Sequence, residues 1–196
     1  MVKEICVKPT KKLIAEKNED WNKELKFYGP EMILNKLFLA TGNHDFREVY
    51  TKCHYLNRLY STRISNIDVE RIAKHIVNTT HFDNLIKDGN TKAVVEIAFN
   101  SDTKNKNFSF ASKYCSFCNP IEYPIYDTLV EKAIWQYQKD GILKSYKRSL
   151  IKENNDGVNR YKIFKSKIDE LIENLDLKST YKELDHFLWL KNYIEK

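Results

Sequence analysis

Apolar residues recur along most of this chain every three or four positions, the period of helices that bury one face. "KKLIAEKNEDWNKELKFYG" predicts a first helix stopped by Gly29-Pro30, and "EMILNKLFLATG" a short, very apolar second helix ending at Gly42. From Phe46 to Tyr60, residues Val49, Cys53, Leu56 and Tyr60 trace one helical face. "NIDVERIAKHIVN" predicts a helix with Asn66 or Asp68 at its N-cap and acids in its first turn. "HFDNLIKDG" and "TKAVVEIAFN" predict two more short helices. Beyond Pro124, residues Ile125, Leu129, Ala133, Ile134 and Tyr137 share a face, and Tyr161, Phe164, Ile168, Leu171, Ile172 and Leu175 do so in a long helix. The last helix opens with "TYKE", where Thr180 and Glu183 match a capping box. Period-two alternation is missing and no internal repeat stands out, so the pattern predicts an all-α chain of about eight to ten helices. Loops fall near 100–107 and 153–159.

Composition narrows the class. The 196 residues suffice for one well-cored domain, or two small lobes sharing a core. With 42% hydrophobic and 13% aromatic residues the chain is too apolar for disorder. Five glycines and four prolines leave room for long regular elements. The net charge of +6 fits a polyanionic partner and equally a Lys-rich surface. The start of the chain lacks an apolar stretch of signal-peptide length, and no window of about 18 apolar residues could span a bilayer. No membrane partner and a cytoplasmic location are therefore expected, with Cys6, Cys53, Cys115 and Cys118 as reduced thiols.

Three motifs invite chemistry. "GNHD", residues 42–45, supplies metal ligands in binuclear metallophosphatases, where it follows a strand. Here it follows a predicted helix and its companion motifs are missing, so Gly42 reads as a helix C′ residue and Asn43 or Asp45 as the next cap. "CSFC", residues 115–118, has the spacing of half a zinc site, but a closed site needs a second pair. Cys6 and Cys53 are isolated, and Cys53-His54 is the one pair that would complete such a site; buried thiols filling a helical core are expected instead, and no metal or other cofactor. In "YPIYDTLV", Pro124 biases Tyr123 towards extended backbone and puts Asp127 at or near a helix N-cap. There it is a cap, or a carboxylate held rigidly at the mouth of a cleft. The polar end of the Phe46–Tyr60 helix, Asn57 to Thr62, is either a solvated turn or a cleft lining where two lobes meet.

Two segments in order resemble the helix-hairpin-helix DNA glycosylase superfamily. "YLNRLYSTRISNIDVERIAKHI", residues 55–76, is similar to the family's helix end and following capped helix. "SFASKYCSF", from Ser109, is similar to the helix fed by its hairpin, with Ala111 on the family's Ala. "YDTLVEKAI" places Asp127 eighteen positions after Ser109, where the family's catalytic Asp falls, with Thr128 and Val130 on its Thr and second apolar position. The likeness spans roughly residues 45–135 within a single helical domain, 1–196, of two lobes. The block "FSFASKYCSF…YPIYD" also resembles one in an uncharacterised bacterial family.

The resemblance implies a monofunctional DNA base-excision glycosylase that cleaves the N-glycosidic bond of a modified or damaged base. Asp127 would stabilise the oxocarbenium-like sugar or orient the attacking water. Family members with Lys at the Ser109 position also nick the strand; Ser109 cannot, so no lyase activity is expected. Asn57, Tyr60, Ser61, Thr62, Ser109, Tyr114 and Tyr126 would line the base site, with Phe110 and Tyr123 as further aromatics whose other role is core packing. Lys104, Lys106, Asn107 and Lys113 would meet the DNA backbone. The family's Gly-x-Gly hairpin is replaced by "DTKNKNFS", so phosphate contact here would be by side chain. The alternatives are a non-catalytic nucleic-acid-binding module and a helical interaction protein.

Overall fold

The computed structural model describes residues 7–103, 106–152 and 157–194. Among the described residues the chain forms eleven helices and no strand, so the all-α expectation holds. None of these helices is long and apolar enough to cross a membrane. The chain divides into two compact units, residues 24–125 and residues 1–23 with 126–196.

The unit of residues 24–125 holds α2 (Leu25–Ala40), α3 (Phe46–Leu59), α4 (Asn66–Asn78), α5 (Phe82–Lys87), α6 (Lys92–Ala98) and α7 (Phe108–Cys118). Its centre is α7, on which every residue from Phe110 to Phe117 is buried. A helix buried all round carries no amphipathic stripe. Phe38 of α2 meets Tyr114 edge-on at 5.0 Å, Phe82 of α5 approaches the same ring at 6.2 Å, and Phe99 packs on Phe108 at 6.5 Å. Around it α3 packs on α4, and α6 and α2 lie against α7.

The other unit holds α1 (Lys11–Lys23), α8 (Thr128–Lys139), α9 (Ser149–Lys152), α10 (Gly157–Asn174) and α11 (Tyr181–Ile194). Trp21 of α1 stacks on His186 of α11 at 4.0 Å, and Asn18 Oδ1 accepts from His186 Nδ1 at 2.7 Å. The expected face of α10 is buried at Tyr161, Phe164, Ile168 and Leu171. The Thr180–Glu183 capping box forms: Glu183 N donates to Thr180 Oγ1 at 3.2 Å, and Thr180 N donates to Glu183 Oε2 at 2.8 Å.

Two boundaries differ from the sequence pattern, and one cap differs only in its backbone conformation. The break expected at Gly29-Pro30 falls at Glu24, which is extended (φ −103°, ψ 104°), and α2 runs through Pro30. Pro30 is the sixth residue of α2, so the bond it cannot donate is lost one turn into the helix rather than at its end. The N-cap of α4 is Ser65, whose Oγ accepts from Asp68 N at 3.1 Å, rather than Asn66 or Asp68. Gly42 follows the C-cap of α2, but the left-handed φ of such caps falls at Gly89 (62°) and Gly141 (75°).

The two left-handed glycines separate backbone strain from crowding. A Cβ on Gly89 would lie 2.5 Å from the Glu122 carboxylate, whereas one on Gly141 meets nothing within 4 Å. Gly141→Ala is expected to cost about 1 kcal/mol, the left-handed penalty alone. Gly89→Ala is expected to cost at least about 1 kcal/mol more, as measured by urea denaturation of the two variants side by side.

Candidate functional site

The residues singled out by sequence fall into two groups, one in each unit. In the unit of residues 24–125, Asn57 clamps the turn after α3. Its Oδ1 accepts from Thr62 Oγ1 at 2.7 Å and from Ile64 N at 3.0 Å, while its Nδ2 donates to Ile64 O at 2.9 Å. Inside this clamp Ser61 (φ 49°) and Arg63 (φ 60°) are held in the left-handed region, where non-glycine residues are uncommon. Two such residues two positions apart persist only because the surroundings over-determine them, and they leave Ser61 and Arg63 exposed.

The neighbouring α7 brings Ser109, Lys113 and Tyr60 together. Lys113 Nζ donates to Ser109 Oγ at 2.7 Å and lies 5.8 Å from the Tyr60 ring centre. Lys113 is only 5% exposed, so it is turned inwards instead of being presented to a DNA backbone. Lys106 is exposed, with its Nζ 5.0 Å over the Phe99 ring. Asn107 is the N-cap of α7 yet makes no side-chain capping bond, and its Nδ2 is buried without a hydrogen-bond partner. Lys104 and Cys6 lie outside the described residues.

Tyr114 departs from its expected role. It is 0% exposed and its hydroxyl donates to Asn43 Oδ1 at 2.7 Å, so it offers no face to a base. Phe110 and Tyr123 are buried likewise. The reason is the all-round burial of α7, which a reading from helical period cannot separate from a cleft-facing stripe.

The partner of Tyr114 gives "GNHD" a role as a polar hub. Lys52, 1% exposed, donates to Thr41 O at 2.8 Å, Gly42 O at 2.7 Å and Asn43 Oδ1 at 3.2 Å. Asn43 Nδ2 donates to Asp83 Oδ1 at 2.6 Å, and His44 Nε2 lies 2.8 Å from Asp83 Oδ2. Asp45 caps α3, accepting from Arg47 N and Glu48 N. A cavity of about 290 Å³ opens beside this hub, but all three protons of the Lys52 ammonium are already engaged. Burial of Lys52 could have been suspected only from its place on the Val49–Cys53–Leu56 face.

The cysteines lie close by. Cys53 and Cys115 are buried, as expected of core thiols, and Asn43 Nδ2 approaches Cys118 Sγ at 3.9 Å. Among the described residues no group of three His, Cys, Asp or Glu side chains could hold a metal. Burial pushes the thiols of Cys53, Cys115 and Cys118 up, that of Cys118 to about 12, and the Tyr114 phenol up as well. Burial lowers the Lys52 ammonium.

In the other unit, Asp127 is the N-cap of α8. Its backbone is extended (φ −137°, ψ 153°) and its Oδ1 accepts from Leu129 N at 2.9 Å. The side chain is half-buried, not sealed into the core. The residue before it is anchored: Arg160 Nη2 donates to the Tyr126 hydroxyl at 2.9 Å, the guanidinium sits 4.9 Å from the Tyr126 ring centre, and Phe164 packs edge-on at 5.2 Å. Tyr126 is thus a buried anchor for Asp127, with 5% of its surface exposed, and not a stacking platform.

These features define an all-helical protein with a clamped basic turn in one unit and a capped carboxylate in the other. The chain belongs to the HI_0787_N N-terminal domain family, which it matches over residues 12–122. An uncharacterised protein of Haemophilus influenzae is 35% identical to it over 136 residues, covering 68% of this chain and 61% of that protein. The chain therefore spans about three fifths of the relative's length. No solved structure matches.

The raised thiols and phenol make stability fall in alkali. A group whose proton is held more tightly in the folded state stabilises fully below its unfolded value, 9.0 for a thiol, and loses that contribution as pH rises towards the folded value. Lys52, lowered on folding, acts in the opposite sense below 10.5, but it is one group against three thiols and a phenol. The melting temperature is expected to hold up to about pH 8.5 and to fall progressively from pH 9, less steeply in Cys118→Ser. Thermal melts across that range check it.

Proposed function

We propose that this protein acts on nucleic acid, as a DNA base-excision glycosylase of the helix-hairpin-helix kind with Asp127 as its catalytic carboxylate. The observation that carries the reading is the placement of Asp127 on an anchored, half-buried N-cap. One oxygen is fixed by Leu129 N, and the preceding Tyr126 is held by Arg160, so the carboxylate is pre-positioned rather than free to swing. A pre-positioned carboxylate is what an oxocarbenium-like sugar requires, either to balance its charge or to hold the attacking water. Ser109 cannot form a Schiff base, and the Lys113 amine is buried against it, so base release without strand nicking is the expected chemistry.

The second reading, a non-catalytic nucleic-acid-binding module, is favoured by the clamped turn that presents exposed Arg63. Asp127→Asn separates the two, because Asn caps a helix as well as Asp while carrying no charge. On duplexes and single strands bearing a panel of modified bases, wild type is expected to yield free base and an abasic site without strand cleavage. Asp127→Asn is expected to lower that rate by about 10²–10³-fold, with DNA binding and melting temperature retained. Asp127→Ala, which loses the cap, is expected to cost about 1 kcal/mol of stability besides. Wild type that releases no base from the panel, yet binds DNA with steep salt dependence, would overturn the enzyme and leave the binding module.

A further inference from the structure

The core side of α3 is filled by Val49, Cys53 and Leu56, all fully buried. The opposite side carries a second pattern. Arg47 and Arg58 are both exposed and eleven residues apart, three turns of helix, so they stand on one stripe about 16 Å apart. Beside that stripe runs a column of rings spaced four residues apart. Phe46 stacks on Tyr50 at 5.7 Å with 27° between the rings, and Tyr50 on His54 at 5.3 Å with 23°. Phe46 is 36% exposed, Tyr50 is half-buried and His54 is exposed. On the other side of the stripe, Tyr55 leaves 50% of its surface exposed. Contacts between side chains four apart support a helix by themselves. They do not call for a row of arginines flanked on both sides by exposed rings.

The charge on this side is of one sign. From Val49 to Ile67 there is no Asp or Glu, nineteen residues without one in a chain that holds 27 among 196. The acids at the borders are engaged elsewhere. Asp45 accepts from Arg47 N and Glu48 N, and Glu48 Oε2 accepts from Gly42 N at 3.2 Å. On the adjoining α4, Asp68 holds Arg71 at 3.3 Å and Glu70 holds Lys74 at 2.6 Å. Arg47, Arg58 and the Arg63 that the Asn57 clamp presents beyond the end of α3 make no ion pair with any described residue. Three unneutralised guanidiniums attract a polyanion and suit its phosphates. Phosphates alone would not use the rings. A duplex keeps its base faces stacked inside, whereas a single strand offers phosphates and open base faces together.

We propose that the outer side of α3, with the turn that follows it, binds a single strand of nucleic acid. Arg47, Arg58 and Arg63 pair with phosphates along the strand, and its bases pack on the rings beside them. This rests on the reading that the protein acts on nucleic acid, and is independent of the chemistry assigned to Asp127.

The test uses the full chain and fluorescein-labelled dT15, alone or annealed to dA15, read by anisotropy across a salt series. Wild type is expected to bind dT15 more tightly than the duplex. Arg47→Gln/Arg58→Gln, which alters only exposed side chains, is expected to weaken dT15 at least tenfold, to lower the slope of log affinity against log salt by about 1.4, and to keep the melting temperature. Lys26→Gln/Lys36→Gln removes the same charge from α2 and is expected to stay within twofold of wild type; an equal loss there would mark the effect as net charge and overturn the α3 surface. Tyr50→Leu, which keeps the position apolar, is expected to weaken dT15 at least fivefold at unchanged slope. Preference for the duplex, or dT15 binding untouched by the α3 variants, overturns this surface while leaving the nucleic-acid reading standing. Wild type that binds neither probe at low salt overturns both. Loss of base release in Asp127→Asn with dT15 affinity unchanged keeps the α3 surface and places the chemistry elsewhere.

Discussion

A buried ammonium ion organises the unit of residues 24–125. Lys52 donates all three of its protons, two of them to the carbonyls of Thr41 and Gly42, just past the end of α2, and one to Asn43 Oδ1. The C-terminus of α2 is the partially negative end of its dipole, so a cation held beside it is favourable. Asn43 then takes a second proton from Tyr114 of α7 and passes one to Asp83 of α5. Three helices, α3, α5 and α7, thus share one residue's amide. Removing any member would leave others buried and unpaired, which costs more than the bond itself.

That arrangement fixes what lies at the far ends of the same helices. The hub sits at the α2–α3 corner, and α3 runs from it to Asn57, whose side chain shapes the turn carrying Ser61 and Arg63. The strain in that turn, two left-handed non-glycine residues, is sustained by three hydrogen bonds from one amide. In α7, Tyr114 is held by the hub, and the head of the helix presents Asn107. Rigid elements position a site more precisely than loops do, and here the clamped turn and the head of α7 hang from helices anchored at their far ends or middles.

What could be read from sequence follows from how local its cause is. The caps at Asp45 and Asp127, the box at Thr180 and Glu183, and the buried faces of α3 and α10 depend on residues within one or two turns, and the pattern shows them. Pro30 inside α2 does not follow, because the break at Glu24 carries no glycine or proline to mark it. The burial of Lys52 and the partnership of Asn43 with Tyr114, 71 positions away, depend on tertiary packing alone. The aromatics of "NFSFASKYCSFC" have the same kind of cause: they are many because α7 is enclosed on every side, which helical period alone does not distinguish from a stacking surface.

The two proposed functional features differ in how far they reach along the family. The stretch shared with the HI_0787_N N-terminal domain, residues 12–122, contains Arg63, Arg71, Asn107 and the whole Asn43 hub, and stops just short of Asp127. A property of that domain as such must be sought among its own residues, which include the Asn43 hub and the clamped turn that presents Arg63. Asp127, by contrast, stands in the other unit at a position where capping alone would justify a carboxylate. The proposed chemistry therefore rests on a single charge at the head of α8, outside the residues matched to the family.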